Sequence, residues 1–248
     1  MTGIFNREHE PPEPGDGDVA YDITKAIVGV VVAGSVAPGA DLVLTAADLV
    51  LRHVFGSPFA RRQQEWSDVI AERLRRVESE RGVNLEDLRD NPAFIDAAAS
   101  AYQAFIKTSD EQKRAALRNA VVNCALPSAP PVIEQQLFLT LVDRLTPLHL
   151  AVVGLFRDPT NWSGPEGRRL SPYRTYRSPT PRTVLEDAFP QLGGANREMA
   201  DVIWADLQAN GLIRTPGLNN SGEGDTVMKT RVTDLGQRFV RFISDPLI

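Results

Sequence analysis

Cysteine is nearly absent from this chain. The single residue, Cys124, can form no internal disulfide, which fits a reducing cytoplasm. Histidine is scarce as well. His9, His53 and His149 lie far apart, with no second ligand at metal spacing beside any of them. Neither sign of charge dominates: 27 basic side chains stand against 32 acidic ones, a formal net of −5. Such a chain binds nucleic acid only through a local basic patch. No glycine-rich loop follows a strand as a phosphate cradle requires, and neither G-x-S-x-G nor H-E-x-x-H occurs. No catalytic, cofactor-binding or metal-ligating residue can therefore be nominated, and no cofactor is expected.

Long hydrophobic runs are missing too. The most apolar stretch, "AIVGVVVAGSVAPGADLVL" from Ala26 to Leu44, is broken at Pro38-Gly39, a strong turn signal. A spanning helix needs roughly 20 apolar residues. The stretch reads as two helices, about 22–36 and 41–55, folded into a buried hairpin. Each arm would reach only about 20 Å. Asp41 and Asp48 would each cost about 2.5–3.5 kcal/mol at mid-bilayer. Membrane contact by residues 24–55 stays open as the sharper alternative, and "IVGVVVAG" could also form a strand. The tail before it, "EHEPPEPGDGD", is acidic and rich in Pro and Gly. It reads as a disordered segment over 1–21 and not as a secretory signal, which wants a positive start.

What is present is helical punctuation. Ser57-Pro58 is expected to start a helix as N-cap and N1, with Phe59, Arg62, Trp66, Val69, Ile70, Leu74 and Val77 on one face and Gly82 as its stop. Asn91-Pro92 starts another helix, through Lys107. Thr108 and Glu111 form a capping box for a helix reaching Ala125. A further helix over about 132–145 restarts at Thr146-Pro147 and ends near Phe156. The charged faces "RR" and "ERLRR" read as solvated helix surface. His149, flanked by leucines, reads as a core histidine, and Cys124, in "VVNCAL", as an inert thiol.

The stretches "KTSDEQKRAALRNAVVNCALP" (107–127) and "FLTLVDRLTPLHLAVVGLFRDP" (138–159) resemble an uncharacterised bacterial helical protein family with an apolar N-terminal segment and a C-terminal winged-helix-like domain. The resemblance implies a mainly helical protein. It supplies no catalytic residue.

Beyond residue 159 the character changes. A linker rich in Arg, Pro and Ser covers 159–180. "TPRTVLEDAF" can form one helix. "GANREMADVIWADLQANGLI" forms a second, with Met199, Val202, Ile203 and Leu207 as its apolar positions and Gly211 as its end. "LIRTPG" and "DTVMKTRVT" can pair as strands, and "TDLGQRFVRFI" closes with a helix capped by Thr233 or Asp234. This order resembles a winged helix. The expected architecture is mainly α: a multi-helix domain over 22–158 plus a small α+β winged-helix-like domain over 181–248.

A winged helix invites DNA to its second helix. The charges oppose it. From Arg182 to Ile248 there are seven basic and nine acidic residues, a net of −2, and the second helix sets Glu198, Asp201 and Asp206 against Arg197. The linker is the counterweight. Arg168, Arg169, Arg174, Arg177 and Arg182 form a cluster with Tyr173 and Tyr176 and no acid, able to meet single-stranded nucleic acid or another anion. Three expectations stand side by side. The first is a non-enzymatic cytoplasmic interaction protein that docks a protein or self-associates. The second is a nucleic-acid-binding regulator. The third is a membrane-acting effector of the defence or toxin type.

Overall fold

The computed structural model describes residues 19–35, 46–164, 169–170, 179–214, 217–220 and 227–247, with side chains outside 30–35 and 46–60. The chain divides into two compact units. One comprises residues 1–109, 117–136 and 246–248. The other comprises 110–116 and 137–245. Helices predominate, and no strand occurs among the described residues.

The first unit holds α1 (Val19–Ser35), α2 (Ala46–Arg81), α3 (Leu85–Arg89) and α4 (Pro92–Lys107), with α1 packed on α2, α3 and α4. Ser57-Pro58 does not start a helix as expected: α2 runs straight through it for 36 residues, about 54 Å. An interior proline forgoes one backbone bond at about 3 kcal/mol. Tertiary burial of Trp66, Ile70, Leu74 and Val77 on the same helix outweighs it. Pro38, Gly39 and Asp41, the expected hairpin tip, lie outside the described residues.

Two neighbouring boundaries lie where expected. Gly82, at φ +67°, ends α2 with its N–H on the Glu78 carbonyl. The Asn91 side chain accepts from the N–H groups of Ala93 and Phe94 and opens α4. The core here centres on Trp66, whose ring lies 5.6 Å from Tyr102 and 5.0 Å from Phe105. Arg118 lies over Phe105 at 5.7 Å while it pairs with Glu65 at 3.2 Å.

Two helices bridge the units along the chain: α5 (Glu111–Ala125) and α6 (Val132–Arg144). The cap of α5 falls on Asp110, whose carboxylate accepts from the Lys113 N–H at 2.8 Å. Thr108, the expected cap, instead closes α4 in extended backbone.

The second unit contains α7 (Pro147–Arg157), α8 (Pro181–Ala188), α9 (Arg197–Ala209) and α10 (Asp234–Ile243). Helices α6 and α7, expected within the 22–158 domain, contribute residues from 137 onward to this unit. Phe138 packs on Phe239 and Phe242, and Phe156 meets Trp204 edge-on at 5.0 Å. Of the expected strand pair, the described residues show one antiparallel bridge, Ile213 with Val232. The flanking groups pair across it, the Arg214 N–H on the Arg231 carbonyl at 2.7 Å and the Thr233 N–H on the Leu212 carbonyl at 3.0 Å, but the next donors are committed elsewhere. The Arg231 N–H donates to the Phe156 carbonyl at 3.0 Å and the Thr230 hydroxyl to the same oxygen at 3.3 Å. These groups cap the end of α7, so no ladder grows from them.

Candidate functional site

The most informative surface is one side of α9. The helix begins after Gly194, a glycine at φ +59°. It ends in a Schellman arrangement: the Gly211 N–H reaches the Gln208 carbonyl at 2.8 Å and the Leu212 N–H reaches Leu207 at 2.9 Å. Ala200, Ile203, Trp204 and Leu207 form its buried stripe. Met199 and Val202, expected on that stripe, point outward instead and are 55% and 54% exposed. Trp204 explains the difference: burying the indole against Phe156 rotates the stripe by one position. The pattern 200, 203, 204, 207 is the regular helical spacing and could have been read from the sequence by giving the tryptophan first claim on the core.

Around Met199 and Val202 stand the exposed Glu198, Asp201, Ala205 and Asp206. The nearby arginines are held by carboxylates. Arg182 bonds to Asp201 and also lies 3.9 Å from Glu186, with its side chain only 12% exposed. Its Nε donates to Asn219 at 2.6 Å. Arg197 pairs with Glu186 at 3.0 Å. Among the described residues this face offers apolar and acidic groups, and both of its neighbouring guanidinium groups, Arg182 and Arg197, are paired.

The arginine cluster is only partly visible. Arg168, Arg174 and Arg177 lie outside the described residues. Arg169 is exposed, and its backbone bridges to Ser163. Arg182, included among the anion contacts in the sequence reading, has its guanidinium engaged as above.

His149 is buried at the start of α7. The Thr146 N–H donates to Nδ1 at 3.3 Å, and the Thr146 hydroxyl lies 2.7 Å from the same nitrogen. A ring nitrogen that accepts an N–H bears no proton, so the neutral ring carries its proton on Nε2. Nε2 faces the Asp206 carboxylate at 3.4 Å, too long for a good hydrogen bond. Burial pulls the imidazole below its ordinary 6.5, and Asp206 opposes that pull. A lowered folded pKa means that the unfolded chain takes the proton first. Stability from this group is therefore complete above about pH 6.5 and is lost as the pH falls below it. Comparing urea midpoints at about pH 7.5 and 5.5, the His149→Gln protein should lose less on acidification than the unsubstituted chain. Asp206→Asn, which removes the opposing carboxylate, should lose more.

The Cys124 thiol is buried and pushed up to about 12 by desolvation. No group of three metal-ligating side chains occurs among the described residues. An open groove of about 730 Å³ lies beside α7, between Leu148, Ala151 and Gly154 on one side and Trp162 and Phe189 on the other. Among the described residues its polar side chains are Gln112, Ser163 and Gln191, all uncharged.

No single helix among the described residues is long and apolar enough to cross a membrane. α6 and α7 together have the length and composition, but they bend by 119° at their junction. They also bury Phe138, Val142, Leu150 and Val153 within the protein. No protein family, no curated protein and no solved structure matches this chain.

Proposed function

We propose that this chain is a non-enzymatic cytoplasmic interaction protein whose residues 181–248 act as a winged-helix-like module that docks a protein. The order α8, α9, bridge and α10 supports the winged-helix reading, with Ile213 and Val232 as the remnant of its wing. One observation carries the docking reading. Met199 and Val202 are more than half exposed on the helix that a DNA reader would place in the groove, while Arg182 and Arg197 are spent on carboxylates. Exposed apolar side chains rimmed by polar groups suit a protein surface, whereas phosphate binding needs free cations. Fold alone does not give this function; the side chains on α9 argue for it.

The nucleic-acid reading keeps one supporting observation, the exposed Arg169 within the acid-free cluster. Against membrane action, Ile23, Ile27 and Val28 of α1 are buried.

A photo-reactive benzoylphenylalanine in place of Val202 tests the docking reading in the native host. Irradiation should give a discrete protein adduct that weakens severalfold when Met199 is also changed to serine. A nuclease-sensitive adduct would refute it, as would none at all.

A further inference from the structure

From the α9 face we infer that the docked partner is a basic, apolar helical segment, with cationic side chains seven or eight positions apart flanking an aliphatic pair. The inference rests on the docking reading above and specifies the partner's chemistry. Met199 and Val202 are adjacent on one stripe, one turn apart, and make a two-residue apolar centre. Glu198 and Asp206 bracket that centre along the helix, both exposed. Eight residues of helix separate them, about 12 Å. Asp201, between them, is neutralised by Arg182, whereas Asp206 faces only the neutral His149 ring at 3.4 Å, so the uncompensated negative charge sits at the two ends.

The matching occupant puts one cation near each end and aliphatic side chains between. On a helix, 12 Å corresponds to a spacing of seven or eight residues. The charges would set register and orientation, and the aliphatic contact would supply most of the affinity. An acidic segment would meet like charges at both ends, and a duplex would bring phosphates onto an acidic face.

The test is a displayed library of helical 16-residue peptides on an alanine and leucine scaffold, with Lys or Glu allowed at every exposed position. The full chain serves as bait. Clones retained should be enriched at least tenfold in Lys over Glu at two positions seven or eight apart. Binding of synthetic versions should weaken at least tenfold with Met199→Ser/Val202→Ser and with Glu198→Lys. Thermal unfolding of both variants should match the parent, since these side chains are exposed. Enrichment of Glu, with binding still lost in Met199→Ser/Val202→Ser, would overturn the basic-partner inference and leave the docking reading standing. Duplex DNA bound through α9, with no peptide retained, would overturn both. No retained ligand of any kind would also overturn the inference. A peptide of residues 168–182 that outcompetes every selected clone would overturn it too, by making the chain's own arginine-rich stretch the occupant.

Discussion

Truncating Phe138 to alanine should lower the stability of the second unit by about 3–5 kcal/mol. The ring is fully buried and touches two others, with centroids 5.6 Å from Phe239 and 5.4 Å from Phe242. The change would remove both the burial and the aromatic contacts, and it would leave a void that α6 and α10 cannot close without moving. Urea unfolding followed by tryptophan fluorescence reads this directly, because Trp162 and Trp204 both lie in that unit. A loss below about 1 kcal/mol would mean that α10 does not pack on α6 as described.

Replacing Gly236 by alanine should cost about 2 kcal/mol, although alanine is the better helix former by about 1 kcal/mol. Gly236 is the third residue of α10, and its N–H donates to the Thr233 hydroxyl at 2.9 Å. A Cβ there would stand 2.3 Å from the Leu212 carbonyl oxygen and 2.5 Å from a Val232 methyl. That carbonyl cannot retreat freely, since it accepts the Thr233 N–H at 3.0 Å. The clash is with backbone, so it outweighs the propensity gain. Gly154→Ala in α7 is the control. No described atom lies within 4 Å of its Cβ position, and the change should be neutral or stabilising by up to about 1 kcal/mol. Equal effects at the two glycines would contradict the close approach at 212, 232 and 236.

Which features could be read from the sequence follows from how local they are. Asn91-Pro92, Thr146-Pro147 and Thr233 cap helices with groups three residues away or fewer, and each lies where its residues imply. Ser57-Pro58 has the same local signature but sits inside α2, because packing of residues 66–77 decides that helix. The choice between Thr108 and Asp110 was a contest between two good caps, which the motif alone does not settle. The shortness of the strand pairing among the described residues was beyond reach for another reason. The acceptor that diverts Thr230 and Arg231 is the carbonyl of Phe156, more than seventy residues earlier in the chain. The candidate site was half legible. Its acids were visible in sequence, and the outward turn of Met199 and Val202 follows from helical spacing once Trp204 is given the core, where it meets Phe156. The engagement of Arg182 was not visible, since it depends on Asp201 and Asn219 arriving from elsewhere in the fold.

The central claim is that α9 presents a protein surface and not a phosphate surface. Fluorescence anisotropy of a labelled DNA duplex and of its single strand, titrated across a salt series, tests it most directly. Any binding should be weak and should disappear when Arg168, Arg169, Arg174 and Arg177 are changed to serine. Each phosphate contact removed should reduce the slope of log affinity against log salt by roughly 0.7–0.9. Met199→Ser/Val202→Ser should leave the titration unchanged. Tight duplex binding that survives the four serines and collapses with the α9 substitutions would contradict the account.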